Sequence, residues 1–111
     1  MGAYTPRQGD FIFVSFDPQS GHEQKGRRPA LVISKTEFNK RTGMAFVCPV
    51  TNRDRGFPFH VPVGDAAALT GFIMAEQVKS IDFRARDARS LGKASGPVLE
   101  EVLALLDACI Y

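Results

Sequence analysis

Tryptophan is missing from these 111 residues, and cysteine and histidine occur only twice each. Two cysteines, Cys48 and Cys109, cannot build the disulfide framework of a small secreted domain. Both lie in apolar runs and read as small core residues in a reducing compartment. His22 and His60 have no zinc-ligand spacing with the cysteines, so no metal site is expected. Phosphate-cradling and dinucleotide fingerprints are absent, and no cofactor is expected. No apolar stretch is long enough to cross a bilayer, and the start Met1 to Gln8 has neither a secretory core nor a myristoylation spacing. The chain is therefore expected in the cytoplasm and off the membrane. Strong charge of either sign is lacking too. A net charge of +2 does not by itself imply a nucleic-acid partner; clustering of cations would have to do so. There is no repeat and no low-complexity segment.

An apolar content of 44% and a charged content of 23% suit a soluble globular protein, and the length suits one domain, residues 1–111, with one core. Phe11 to Phe16 reads as a strand apolar on both faces, with Phe11 and Phe13 on one and Ile12, Val14 and Phe16 on the other. Asp17 to Gly21 is a turn cluster. A polar loop follows, and then a strand from Ala30 to Ser34. Lys35 to Thr42 is polar and is expected to be a loop with about one helical turn. Met44 to Thr51 is a third strand, in which Pro49 suggests an edge or an end. Phe59 to Val63, Gly71 to Ala75 and Gln77 to Phe83 are further short strands, and Arg84 to Lys93 is basic and turn-rich. Pro97 opens a helix whose rows Val98, Val102, Leu105, Cys109 and Leu99, Leu103, Leu106, Ile110 make one wide apolar stripe. The pattern predicts a mainly β fold, a small SH3-like barrel with a C-terminal helix.

The stretch Gly21 to Ser34 organises the rest. Its polar half delivers Glu23, Lys25, Arg27 and Arg28 to the start of a rigid strand, and Pro29 restricts the backbone of Arg28 to an extended form. Arg53 and Arg55 fall in a turn beside Phe57, a ring that could fold onto the core or stack a base. Lys79, Arg84 and Arg86 add further cations. Taken singly, each of these side chains fits a solvated surface with weak local ion pairs; converging on one face, they would hold a phosphodiester chain. Thr51 ends the apolar run Met44 to Val50, and its hydroxyl could bond locally or meet a phosphate.

Several blocks in order resemble one known family: Gly9-Asp10, Phe16-Asp17-Pro18, Glu23-Gln24, Arg28-Pro29-Ala30, Asn39-Lys40, Thr42-Gly43-Met44, Pro49, Thr51, Gly56-Phe57-Pro58-Phe59, Gln77-Val78-Lys79-Ser80-Ile81 and Arg84-Ala85-Arg86. The chain resembles the MazF/PemK toxins of bacterial toxin–antitoxin pairs. The resemblance implies a homodimer of SH3-like barrels and a metal-independent endoribonuclease that cuts single-stranded RNA at a short motif through the substrate's own 2′-hydroxyl. It implies a MazE-like antitoxin whose acidic tail fills the RNA groove. Arg28 and Thr51 match the family's catalytic pair, and Glu23 matches a residue needed for activity. Asn39, Gln77 and Lys79 match groove-lining positions. Glu76, where a relative has aspartate, and the extra cation Arg27 depart from the pattern. Arginine stays protonated at ordinary pH, so the general base is open, with Glu23 one candidate. Two other readings compete. A CcdB-like gyrase poison is disfavoured by the missing tryptophan, and a plain SH3-like binding module by the joint presence of Glu23, Arg28 and Thr51.

Overall fold

The computed structural model describes residues 3–15, 27–53 and 56–111. The expected turn at Asp17 to Gly21 and the loop carrying Glu23 and Lys25 lie outside the described residues, as does Arg55. Among the described residues, seven strands and two helices follow one another: β1 Asp10–Ser15, β2 Arg27–Val32, α1 Thr36–Thr42, β3 Met44–Thr51, β4 His60–Pro62, β5 Phe72–Met74, β6 Lys79–Asp82, β7 Arg89–Lys93 and α2 Gly96–Ile110, with a 3-10 turn, Ala75–Gln77, before β6. Neighbouring strands pair antiparallel in the order β4-β5-β3-β2-β1-β7, and β6 joins β3 off this path.

β3 is the spine. Its first half, Met44 to Val47, pairs with β6, and its last two residues, Val50 and Thr51, pair with β5. Pro49 therefore lies not in an edge strand but in the gap where β3 changes partner, a position where a residue without an N–H is tolerated. The fold is mainly β as expected, but the ladder stays open among the described residues instead of closing into a barrel. The cause is local: β5 and β6 meet the same strand at different halves, with the 3-10 turn between them.

Strand alternation sorts the apolar residues into two cores. Phe11, Leu31, Cys48, Val50, Val61 and Ile73 face α2, where Val102 and Leu106 complete the packing. Ile12, Val14, Ala30, Val32, Ala45 and Val47 face the other way and are closed over by Ile81 and Phe83. A sheet apolar on both faces is covered on both, as the reading of β1 required. The Ser95 hydroxyl caps α2 by accepting the Val98 N–H at 3.3 Å.

Two elements differ from expectation. Lys35 to Thr42 holds a two-turn helix, α1, closed by Gly43 in the left-handed conformation (φ 72). Arg84 to Lys93 contains β7, which pairs with β1. No helix among the described residues is long and apolar enough to cross a membrane.

Candidate active site

Register builds the site. The last β2–β3 pair is Ala30 with Pro49, and continuing the ladder by two residues sets Arg28 against Thr51 on the same face. That face is the one occupied further along by Ala30 and Val32, so the two polar groups emerge where the second core ends. Thr51 in turn pairs with Phe72, and Met74 with His60. The cleft face of the β3–β5–β4 arm thus presents Thr51, Phe72, Met74 and His60, while Val61 and Ile73 point into the core behind.

The result is a cleft of about 290 Å³ lined by Arg28, Thr51, Arg53, Phe57, His60, Met74, Glu76 and Gln77. Gly71 makes its rim possible. With φ +119, it lets β5 approach so closely that an added Cβ would stand 2.5 Å from the Thr51 carbonyl oxygen. The Thr51 hydroxyl accepts the Arg53 N–H at 3.1 Å, which leaves its own hydrogen available to a ligand. The exposed Arg28 guanidinium has no hydrogen-bond or ion-pair partner among the described residues. Phe57 is 49% exposed and lies with its ring centroid 5.2 Å from that of His60. It leans over the cleft rather than folding into the core. On the far wall the Nε2–H of His60 donates to Glu76 Oε2 at 3.2 Å.

Of the residues expected to act, Arg28, Thr51, Arg53, Phe57 and Gln77 meet in this cleft. Glu23, Lys25 and Arg55 lie outside the described residues. Arg27 projects to the other face of β2, where its guanidinium covers the Phe13 ring at 4.8 Å and reaches Asp87 at 3.9 Å. Arg86 is occupied in the fold: its guanidinium donates to the Ser15 carbonyl, and its backbone accepts from the Ser15 N–H. Arg84 and Lys79 are exposed and do not line the cleft. Asn39 is wholly buried; its amide donates to the carbonyls of Pro6 and Ser34 and accepts from the Ser34 hydroxyl. Such a residue supports the sheet and does not line the cleft.

Met74 and His60 were not expected as site residues, and Glu76 was noted only as a departure from the family pattern that could change the recognised motif. The signal for His60 was present in the alternation of Phe59 to Val63, which turns His60 and Pro62 away from the side of the buried Val61 and Val63. Cys48 lies on the core side, and burial, with a smaller push from the nearby Glu76 carboxylate, raises its pKa to about 12. It is no nucleophile. Among the described residues no three His, Cys, Asp or Glu side chains gather so as to hold a metal ion.

Residues 7–110 match the family described as PemK-like, MazF-like toxin of type II toxin-antitoxin system. The chain is 41% identical over 110 residues to the endoribonuclease toxin MazF of Escherichia coli (strain K12), which spans 99% of this chain and 98% of that protein. It is 42% identical over 111 residues to the endoribonuclease toxin ChpB of that strain, covering 93% and 92%. Among solved structures it matches MazF of Deinococcus radiodurans with a TM-score of 0.87 at 41% identity, over 97% of this chain and 98% of the other. A MazE–MazF structure from the same organism gives a TM-score of 0.88 at 38% identity, over 96% and 97%.

Proposed function

This chain belongs to the PemK-like, MazF-like toxin family of type II toxin–antitoxin systems, and on that premise we propose how its cleft cleaves RNA. The protein is an endoribonuclease toxin. Its substrate is single-stranded RNA, cut at a short motif without a metal ion. The observation that carries the reading is the convergence of Arg28 and Thr51 in one cleft beside an exposed aromatic ring.

The chemistry follows from those groups. The substrate's 2′-hydroxyl gives up its proton, its oxygen bonds to phosphorus, and the phosphorus–5′-oxygen bond breaks as that oxygen takes up a proton. The products are a 2′,3′-cyclic phosphate and a 5′-hydroxyl. Negative charge grows on the non-bridging oxygens as phosphorus becomes five-coordinate. Arg28, in a fork matched to two such oxygens, meets that charge. The Thr51 hydroxyl, which accepts from the Arg53 N–H and keeps its own hydrogen for the ligand, donates to a bridging oxygen of the same phosphate, the departing 5′-oxygen. Arg53 extends the cationic wall to the neighbouring phosphate, and Phe57 offers a face on which a base can stack. The acceptor of the 2′-proton stays open, with Glu23 one candidate. Purified protein with a long mixed-sequence RNA in excess EDTA should release fragments with 5′-hydroxyl ends at one recurring motif. The Arg28→Ala variant should release them more slowly, by about 100-fold or more. Uncut RNA with folded, antitoxin-free protein would overturn the proposal.

A MazE-like antitoxin is the protein partner that fits, since relatives of this chain are solved as MazE–MazF complexes. An acidic antitoxin segment would complement Arg28 and Arg53 where RNA phosphates otherwise sit. The protein acts in the cytoplasm as a homodimer. The helix stripe supports this: α2 ends with Ile110 71% exposed and Tyr111 97% exposed, while Leu103 and Leu105 are only half-buried. Sedimentation at micromolar concentration should give twice the chain mass, and a single-chain mass would refute the dimer.

A further inference from the structure

Glu76 stands in the cleft without a role in phosphate chemistry, and a carboxylate beside a phosphate chain is repulsive unless it meets something else. Its surroundings are built. His60, whose side chain is only 3% exposed, directs Nε2 at Glu76 Oε2 over 3.2 Å, and Glu76 is itself 25% exposed. A carboxylate can only accept, so the ring proton belongs on Nε2. His60 Nδ1 is buried without any hydrogen-bond partner, so nothing else competes to orient the ring. The strand pairing of His60 with Met74 and the contact with Phe57 fix its plane. His60 lines the cleft but its side chain is almost wholly covered, and it pins one oxygen of Glu76 while the other has no hydrogen-bond partner among the described residues.

Resting on the ribonuclease reading, we infer that the buried His60 holds Glu76 as a base-reading carboxylate, which makes the cleft prefer an amino-bearing base over uracil at the nucleotide stacked against Phe57. Glu76 belongs to the turn Ala75–Gln77, next to Gln77, and shares the cleft with the exposed Phe57 ring, His60 contacting both, so a base stacked on that ring has the carboxylate within reach of its edge. A fixed carboxylate accepts from the exocyclic amine of adenine or cytosine, or from the amine and imino hydrogen of guanine. Uracil offers one imino hydrogen flanked by two carbonyl oxygens, which the carboxylate repels. Glu76 touches the base. His60 is a positioning residue acting through it, and discrimination at this nucleotide depends on both.

The test is motif mapping on an RNA library randomised over a short window, with the wild type and His60→Phe, His60→Gln and Glu76→Gln variants, each checked by thermal melting. The wild type should cut with about tenfold or greater preference against uracil at one position. Glu76→Gln, which presents a donor as well as an acceptor, should lose that preference while the base preferences at the other positions of the motif persist. His60→Phe keeps the ring volume but removes the donor and should lose it as well. His60→Gln places an amide nitrogen where Nε2 stands and should restore it, which a purely space-filling role would not produce. An unchanged motif in folded Glu76→Gln or His60→Phe protein, with the wild type active, overturns this inference and leaves the ribonuclease intact. No cleavage by the wild type overturns both.

Discussion

The two ends of β2 carry polar clusters of opposite kind. Beyond its last residue, Ser34 and Asn39 are buried, and their hydrogen bonds close on one another: Ser34 to Asn39, Asn39 to the Pro6 carbonyl, and the Phe46 N–H to the Ser34 hydroxyl. At its start, Arg28 is exposed, faces a cleft with Thr51 and Gln77, and has no partner among the described residues. Both clusters contain residues that the family resemblance points to. The difference teaches that a polar residue whose bonds are complete within the fold maintains the fold, whereas one held in place with its donors unmatched is ready for a ligand.

Substitutions at the two ends should therefore fail in opposite ways. Arg28→Ala should lower RNA cleavage by about 100-fold or more, as removal of a charge-stabilising donor does. Its midpoint in urea should shift little, because the exposed side chain supports nothing. Asn39→Ala should do the reverse. It strips bonds from a wholly buried network and should cost about 2–3 kcal/mol in urea unfolding, with cleavage per folded molecule preserved. If Asn39→Ala lost activity at full stability, or Arg28→Ala unfolded, the contrast between the two ends would collapse.

Gly71 sits between these extremes and sharpens the comparison. An alanine there must displace the Thr51 carbonyl and adopt a φ that side chains avoid. Gly71→Ala should cost roughly 1–2 kcal/mol and also reduce cleavage, with the loss of rate exceeding the loss of folded protein, since the shift falls on the residue carrying the hydroxyl. Thermal melting beside single-turnover cleavage reads both. A loss of stability with unchanged rate would mean that Thr51 does not need its place.

How much of this could be read in the sequence follows the same divide. β1, β3 and α2 were legible because side-chain pattern decides them: apolar residues on both faces of a strand, or a wide stripe at helical spacing. β7 was not. Its residues Arg89 to Lys93 include a single large apolar side chain, and what makes it a strand is backbone pairing with β1. α1 is short and polar, and its stability comes from the Gly43 terminus and from the burial of Asn39, neither of which periodicity displays. Arg28 and Thr51 were named through family resemblance, and the register explains why they meet. Arg27 and Arg28 are neighbours in sequence and both were expected at the site, but one step along a strand sends them to opposite faces, and of the two Arg28 alone lines the cleft. His60 escaped because strand alternation tells only its face, and a histidine outside any metal spacing shows no role until its carboxylate partner, sixteen residues away, is brought beside it.

The smallest effect concerns the two thiols, which divide the molecule once more. Cys48 is wholly buried in the core beneath α2, and Cys109 is exposed near the end of that helix. Burial lifts the Cys48 pKa from 9.0 to about 12. The folded state therefore holds this proton more tightly than the unfolded chain. The resulting stabilisation is complete below about pH 9 and is lost as pH rises from there towards about 12, because the unfolded thiol ionises first. A disulfide reagent at pH 8 should titrate one thiol per chain in native protein and two in guanidinium. Cys48→Ala should flatten the decline in stability on the alkaline side while leaving cleavage at neutral pH intact, because no step of the reaction uses the thiol. Rapid native reaction of both thiols would show that the core under the cleft opens on the timescale of labelling. Reaction of neither would show that a second chain covers the end of α2, which would tie the smallest of these effects to the proposed dimer.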